Sequence, residues 1–121
     1  MSAATPLTCT VMHPAATVTS IGLHGDLEFR TTRLLRAATA EALTRPRLRT
    51  LVLDCARLDF LDSSGLSALL AVRAETDAAD VELRLENRPQ CLEQLLHRTM
   101  LITHFGDDPA SGAAGPELCE R

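Results

Sequence analysis

The sequence predicts a single α/β domain built on a mostly parallel, mixed sheet of 4–5 strands with 3–4 helices. Three observations predict it. Short apolar or alternating stretches take turns with stripes of three-to-four spacing, the order that gives strand–helix–strand units. The 121 residues suffice for one domain and are short for two. About 45% of them are apolar, enough for a real core, which must be aliphatic because Trp and Tyr are absent and Phe occurs three times.

Residues 1–7 are expected to be a flexible N-terminus and 8–105 the domain. The first strand is placed at Thr8–His13 and ends at Pro14. Thr17–His24 is the second. Thr17, Thr19, Ile21 and Leu23 alternate with Val18, Ser20 and Gly22, the period of a pleated ribbon. Gly25-Asp26 has the chemistry of a closing turn. The first two strands can then pair antiparallel through residues 14–16.

A helix is predicted over Thr31–Leu43, with Leu34, Leu35, Ala38 and Ala42 as its apolar stripe. Pro46 ends it. Arg30, Arg33 and Arg36 lie on another face and read as a solvated surface. Leu51-Val52-Leu53 is a continuous apolar run, expected of a strand buried on both faces. A second helix is placed at about Ser64–Thr76, with Leu66, Leu69, Leu70 and Ala74 inward. Val81, Leu83 and Leu85 alternate with Glu82, Arg84 and Glu86 as the next strand. Pro89 suits the first turn of a third helix, striped by Leu92, Leu95 and Leu96. Ile102–Phe105 completes the order as a last short strand. From Gly106 the composition turns to Asp, Pro, Ala, Ser and Gly, and 106–121 is expected to be a mostly disordered tail.

Composition excludes several functions. The formal charge is −4, whereas a nucleic-acid surface needs basic residues and usually aromatic platforms. No apolar run is long enough to span a membrane. Met1–Thr10 has no basic or long apolar stretch of a secretory signal, so a cytoplasmic protein is expected. All twelve basic residues are arginine, a bias suited to a GC-rich bacterial genome. Cys55 and Cys91 read as small core residues. Cys55, Cys91, His97 and His104 lack a zinc-ligand spacing, and no metal or cofactor is expected.

The informative stretch is Asp62-Ser63-Ser64-Gly65-Leu66, between a strand and a helix, where open α/β sheets place functional groups. Ser63 or Ser64 would stand at the helix N-cap, beside unpaired N–H groups and the positive dipole end. Two readings follow from spacing. One is plain capping. The other is phosphorylation, adding up to ~2 negative charges beside Asp62 without unfolding the domain. A serine hydrolase is disfavoured, because Gly-x-Ser-x-Gly and a glycine-rich oxyanion segment are both missing.

Asp54, Leu58, the run Phe60-Leu61-Asp62-Ser63-Ser64-Gly65-Leu66 and Leu69-Leu70 resemble the signature of STAS domains, the fold of bacterial anti-sigma factor antagonists. Leu23-His24-Gly25-Asp26-Leu27-Glu28 resembles that family's second strand and its Gly-Glu-Leu-Asp turn. The resemblance implies a non-enzymatic partner switch in transcription regulation. The unmodified protein would bind an anti-sigma factor that is also a serine kinase, and so release the sigma factor. Phosphorylation, at Ser63 rather than Ser64, would break that complex, and a phosphatase would reset it. Partner-binding residues implied are Asp26, Glu28, Asp62, Ser63, Ser64, Gly65 and Leu66. This chain carries Glu28 where the family often has Asp, Asp26 where it has Glu, and Met100 where a glycine commonly follows the third helix. The resemblance also implies an alternative, a non-phosphorylated STAS subunit or scaffold that docks a partner such as a lipid-transport ATPase complex, with Ser63 only a cap.

Overall fold

A computed structural model describes residues 6–99. The last strand expected at 102–105, His104, Met100 and the tail 106–121 lie outside the described residues, as do residues 1–5. Within them the order is β1 (Thr8–Ala15), β2 (Val18–Leu27), α1 (Thr32–Ala42), β3 (Thr50–Leu61), α2 (Ser63–Ala78), β4 (Glu82–Glu86) and α3 (Gln90–Arg98). The sheet runs β1-β2-β3-β4. β1 and β2 are antiparallel, while β2–β3 and β3–β4 are parallel. No helix among the described residues is long and apolar enough to cross a membrane.

Both parallel crossovers step the same way across the sheet. Right-handed connections therefore put α1 and α2 on one face. Ile21, Leu23, Leu51, Leu53 and Leu85 point into that face and meet Leu35, Leu69, Val72, Leu92 and Leu96 from the helices. The other face carries the register row Met12–Ser20–Val52–Arg84. Val52 is therefore half-buried, not buried on both sides as its apolar neighbours suggested. One other inward assignment shifts, and the buried side of α1 gains a residue. Ala74 is exposed, and Val72 and Thr76 are buried in its place on α2. Thr39 joins Leu35 and Ala42 as a buried residue of α1.

Two strands run further than their turn residues predicted. β1 continues through Pro14 to Ala15, with a register irregularity between Met12 and Ala15. An edge strand tolerates proline because one side of its backbone is unpaired. β2 continues through Gly25 to Leu27. Gly25 has φ +116°, and a Cβ there would lie 2.2 Å from the carbonyl oxygen of Pro6. Gly25 thus kinks the strand under the entering chain instead of ending it.

β3 absorbs the kink. Its register against β2 slips between Gly22 and His24 and again between Gly25 and Asp26. Ala56-Arg57 and Asp59-Phe60 then break the in-out alternation of burial, as bulges do. Asp54 fixes the first of these, accepting the Ala56 N–H at 3.1 Å and the Asn87 amide at 3.0 Å. Cys55 is buried as expected. Cys91 is half-buried, where the sequence read it as a small core residue. Burial pushes the half-buried Cys9 thiol up from its ordinary range.

Replacing Gly25 by alanine is expected to lower unfolding free energy by about 1–3 kcal/mol, the cost of a strained backbone position. Urea denaturation checks this as a lower midpoint with an unchanged slope.

Candidate functional site

The C-terminal ends of β2 and β3 converge on the first turn of α2. Gly65 makes this possible, since a Cβ there would lie 2.4 Å from the carbonyl oxygen of Leu27. The same carbonyl accepts the Asp62 N–H at 3.4 Å. The helix start is thereby seated against the end of β2, and the Asp62-Ser63-Ser64 segment stands beside the turn that follows Leu27.

The capping residue is Asp62, not Ser63 or Ser64. Its backbone is extended and its carboxylate accepts the Gly65 N–H at 2.8 Å. A carboxylate here also suits the positive end of the helix dipole. Ser63 becomes the first helical residue. It is exposed, and its hydroxyl has no hydrogen-bond partner among the described residues. Ser64 is half-buried. Both serines line a hollow of about 300 Å³ with Ser67, Ala68, Thr32 and Arg36. A larger hollow of about 410 Å³ lies at the other end of α1, near Thr44 and Arg45.

The turn after β2 is tightly held. Thr31 donates its hydroxyl to the Asp26 carbonyl at 2.7 Å and accepts the Glu28 N–H at 3.0 Å. The Glu28 carboxylate accepts the Arg30 N–H at 2.9 Å and pairs with the Arg30 guanidinium at 3.4 Å. Its side chain is only 13% exposed, that of Arg30 74%. Phe29 projects from the same turn at 75% exposure.

The residues singled out in sequence therefore divide in two. Glu28, Asp62, Ser63 and Ser64 reach the surface around this corner. Asp26, Gly65 and Leu66 are buried, at 1% exposure for Asp26 and 8% for Leu66, and support the corner from beneath. Sequence reasoning missed Thr31 and Phe29. Thr31 could have been found as a hydroxyl residue just before a helix, the usual place for a capping side chain. Phe29 carries no periodic signal.

The family described as "Mlab, STAS domain" matches residues 12–103. The chain belongs to the STAS domain family. Among solved structures, this STAS domain is similar to an anti-sigma factor antagonist from Mycobacterium paratuberculosis, with 24% identity, TM-score 0.74, and 90% of this chain and 91% of the other covered. It is also similar to the Bacillus cell fate determinant SpoIIAA in its phosphorylated form, with 22% identity, TM-score 0.66, and 83% and 90% covered. The anti-sigma factor antagonist SpoIIAA in its unphosphorylated form matches at 22% identity and TM-score 0.62, over 74% and 82%. At these identities the likeness is one of fold.

The cap assignment separates two side chains that are neighbours in sequence. Asp62→Ala is expected to cost about 0.5–2 kcal/mol, and Ser63→Ala to stay within about 0.5 kcal/mol of the parent. Thermal unfolding of the two variants beside the parent measures the difference.

Proposed function

We propose that this STAS protein is an anti-sigma factor antagonist. It would act in the cytoplasm as a regulator and not as an enzyme. Its unmodified corner would bind an anti-sigma factor with serine-kinase activity, so freeing the sigma factor. The observation that carries the reading is the exposed Ser63 hydroxyl, relieved of capping by Asp62. A serine needed as the cap could not be modified without loosening the helix, and this one can.

The switching step would be a phosphoryl transfer. Ser63 Oγ forms a bond to the γ-phosphorus of ATP as the bond to ADP breaks, and the hydroxyl proton leaves. A phosphatase would reverse the state with water, giving back serine and inorganic phosphate. The product places about two negative charges on the first turn of α2. The helix dipole tolerates them there, whereas a close-fitting partner surface does not. Repulsion and desolvation then fall on the complex and spare the fold.

Glu28 is the second expected contact. Its carboxylate is held by Arg30, so a partner would meet a pre-set turn with Phe29 projecting beside it. Aromatic side chains are enriched in the cores of protein interfaces.

Three variants test the reading against the cognate anti-sigma kinase. Ser63→Ala is expected to bind as the parent does and take no phosphate. Ser63→Glu is expected to bind at least about tenfold more weakly, or about 1.4 kcal/mol. Glu28→Gln should keep the melting temperature, because an amide oxygen can still accept the Arg30 N–H, and should lower the phosphorylation rate. Equal affinity of the two Ser63 variants would reject the switch and leave a docking subunit that is not regulated at this serine. Intact-mass spectrometry of the protein from its own host, with peptide mapping of residues 58–73, reads the modification directly.

A further inference from the structure

The hollow at the head of α2 contains a charged side chain that the switch as stated does not use. Arg36, on the exposed side of α1, lines it together with Thr32, Ser63, Ser64 and Ser67. Among the described residues it is the only cation in that lining. In the unmodified chain its guanidinium is turned to Glu75, further along α2.

That pair is open to solvent on both sides, with side chains 47% and 33% exposed. Exposed pairs of this kind are weak, because water screens them and two long side chains must be held still. A phosphate on Ser63 would be a stronger partner. It carries more charge than a carboxylate and offers three acceptor oxygens, two of which match the guanidinium fork. Asp62 cannot help hold it, being itself an anion engaged with the Gly65 N–H.

We propose that Arg36 is a two-position side chain, paired with Glu75 when Ser63 is unmodified and drawn off Glu75 to hold the phosphate when Ser63 is phosphorylated. The inference rests on the phosphorylation reading of Ser63. Its consequence is that one modification changes two places on the α1–α2 surface. The phosphate appears at the head of α2, partly neutralised, and the Glu75 carboxylate is set free beyond it. A partner lying across both helices would then meet new negative charge at two points.

The test uses the full chain with phosphoserine installed at position 63 during synthesis, so no kinase is needed. Phosphorus NMR follows the second ionisation of the phosphate, and nitrogen NMR follows the Arg36 Nε–H. The charged groups around the phosphate are Arg36 from α1, Asp62 at the cap of α2, and Glu28 with Arg30 on the turn after β2, while Glu75 lies more than three turns further along α2. Arg36→Met is expected to raise the second pKa by about half a unit or more, since a cation favours the dianion. Glu75→Gln is expected to move the Arg36 resonance in the unmodified protein and leave it in place in the phosphoprotein. An ionisation indifferent to Arg36→Met would overturn the proposal, and so would an Arg36 resonance that responds to Glu75→Gln equally in both forms. Absence of Ser63 phosphate in the native host would instead count against the switch, without altering either NMR result.

Discussion

The close approach of α2 to the end of β2 is the contact on which the functional corner depends. It needs a residue without a side chain at position 65, because the Leu27 carbonyl occupies the place of a Cβ. Once the helix is seated there, Asp62 is positioned to cap it and Ser63 falls on the outer side of its first turn. The turn carrying Glu28 and Phe29 follows directly from the strand that supplies the Leu27 carbonyl. A kink or slip at the end of β2 would therefore move both halves of the corner. Gly25 and the two bulges in β3 set where that strand end arrives.

Much of the fold was legible because its elements obey single periods. Val81–Glu86 alternates, and Leu92, Leu95 and Leu96 repeat at helical spacing, and both became the elements expected. The errors arose where two rules competed. Pro14 and Gly25 are turn residues by local chemistry, yet edge position and a bulge kept them inside strands. Val52 looked doubly buried because its neighbours are leucines, but burial on the outer face depends on whether a helix covers it. That is a matter of topology, which one strand does not encode.

The candidate site was legible as a motif and less so as geometry. Asp62-Ser63-Ser64 offers three good capping residues in a row, and propensity does not choose among them. The choice of Asp62 is made by the seating of Gly65 against Leu27, a long-range contact. The burial of Asp26 beneath Glu28 was equally invisible, since a carboxylate in a turn reads as a surface group. Thr31 binds that turn from the helix side through its hydroxyl. Arg88, buried at 2% exposure against Glu93, had no signal in the chain at all.

The broken edge of β1 bears on how these molecules behave when crowded together. An exposed strand with apolar Val11 and Met12 invites a neighbouring chain to add to the sheet. Beyond Met12 the ladder is irregular, and Pro14 supplies no amide hydrogen. An intruding strand would find a regular template only along Thr8–Met12. The proline at the irregular end of β1 thus also shortens the edge open to another strand.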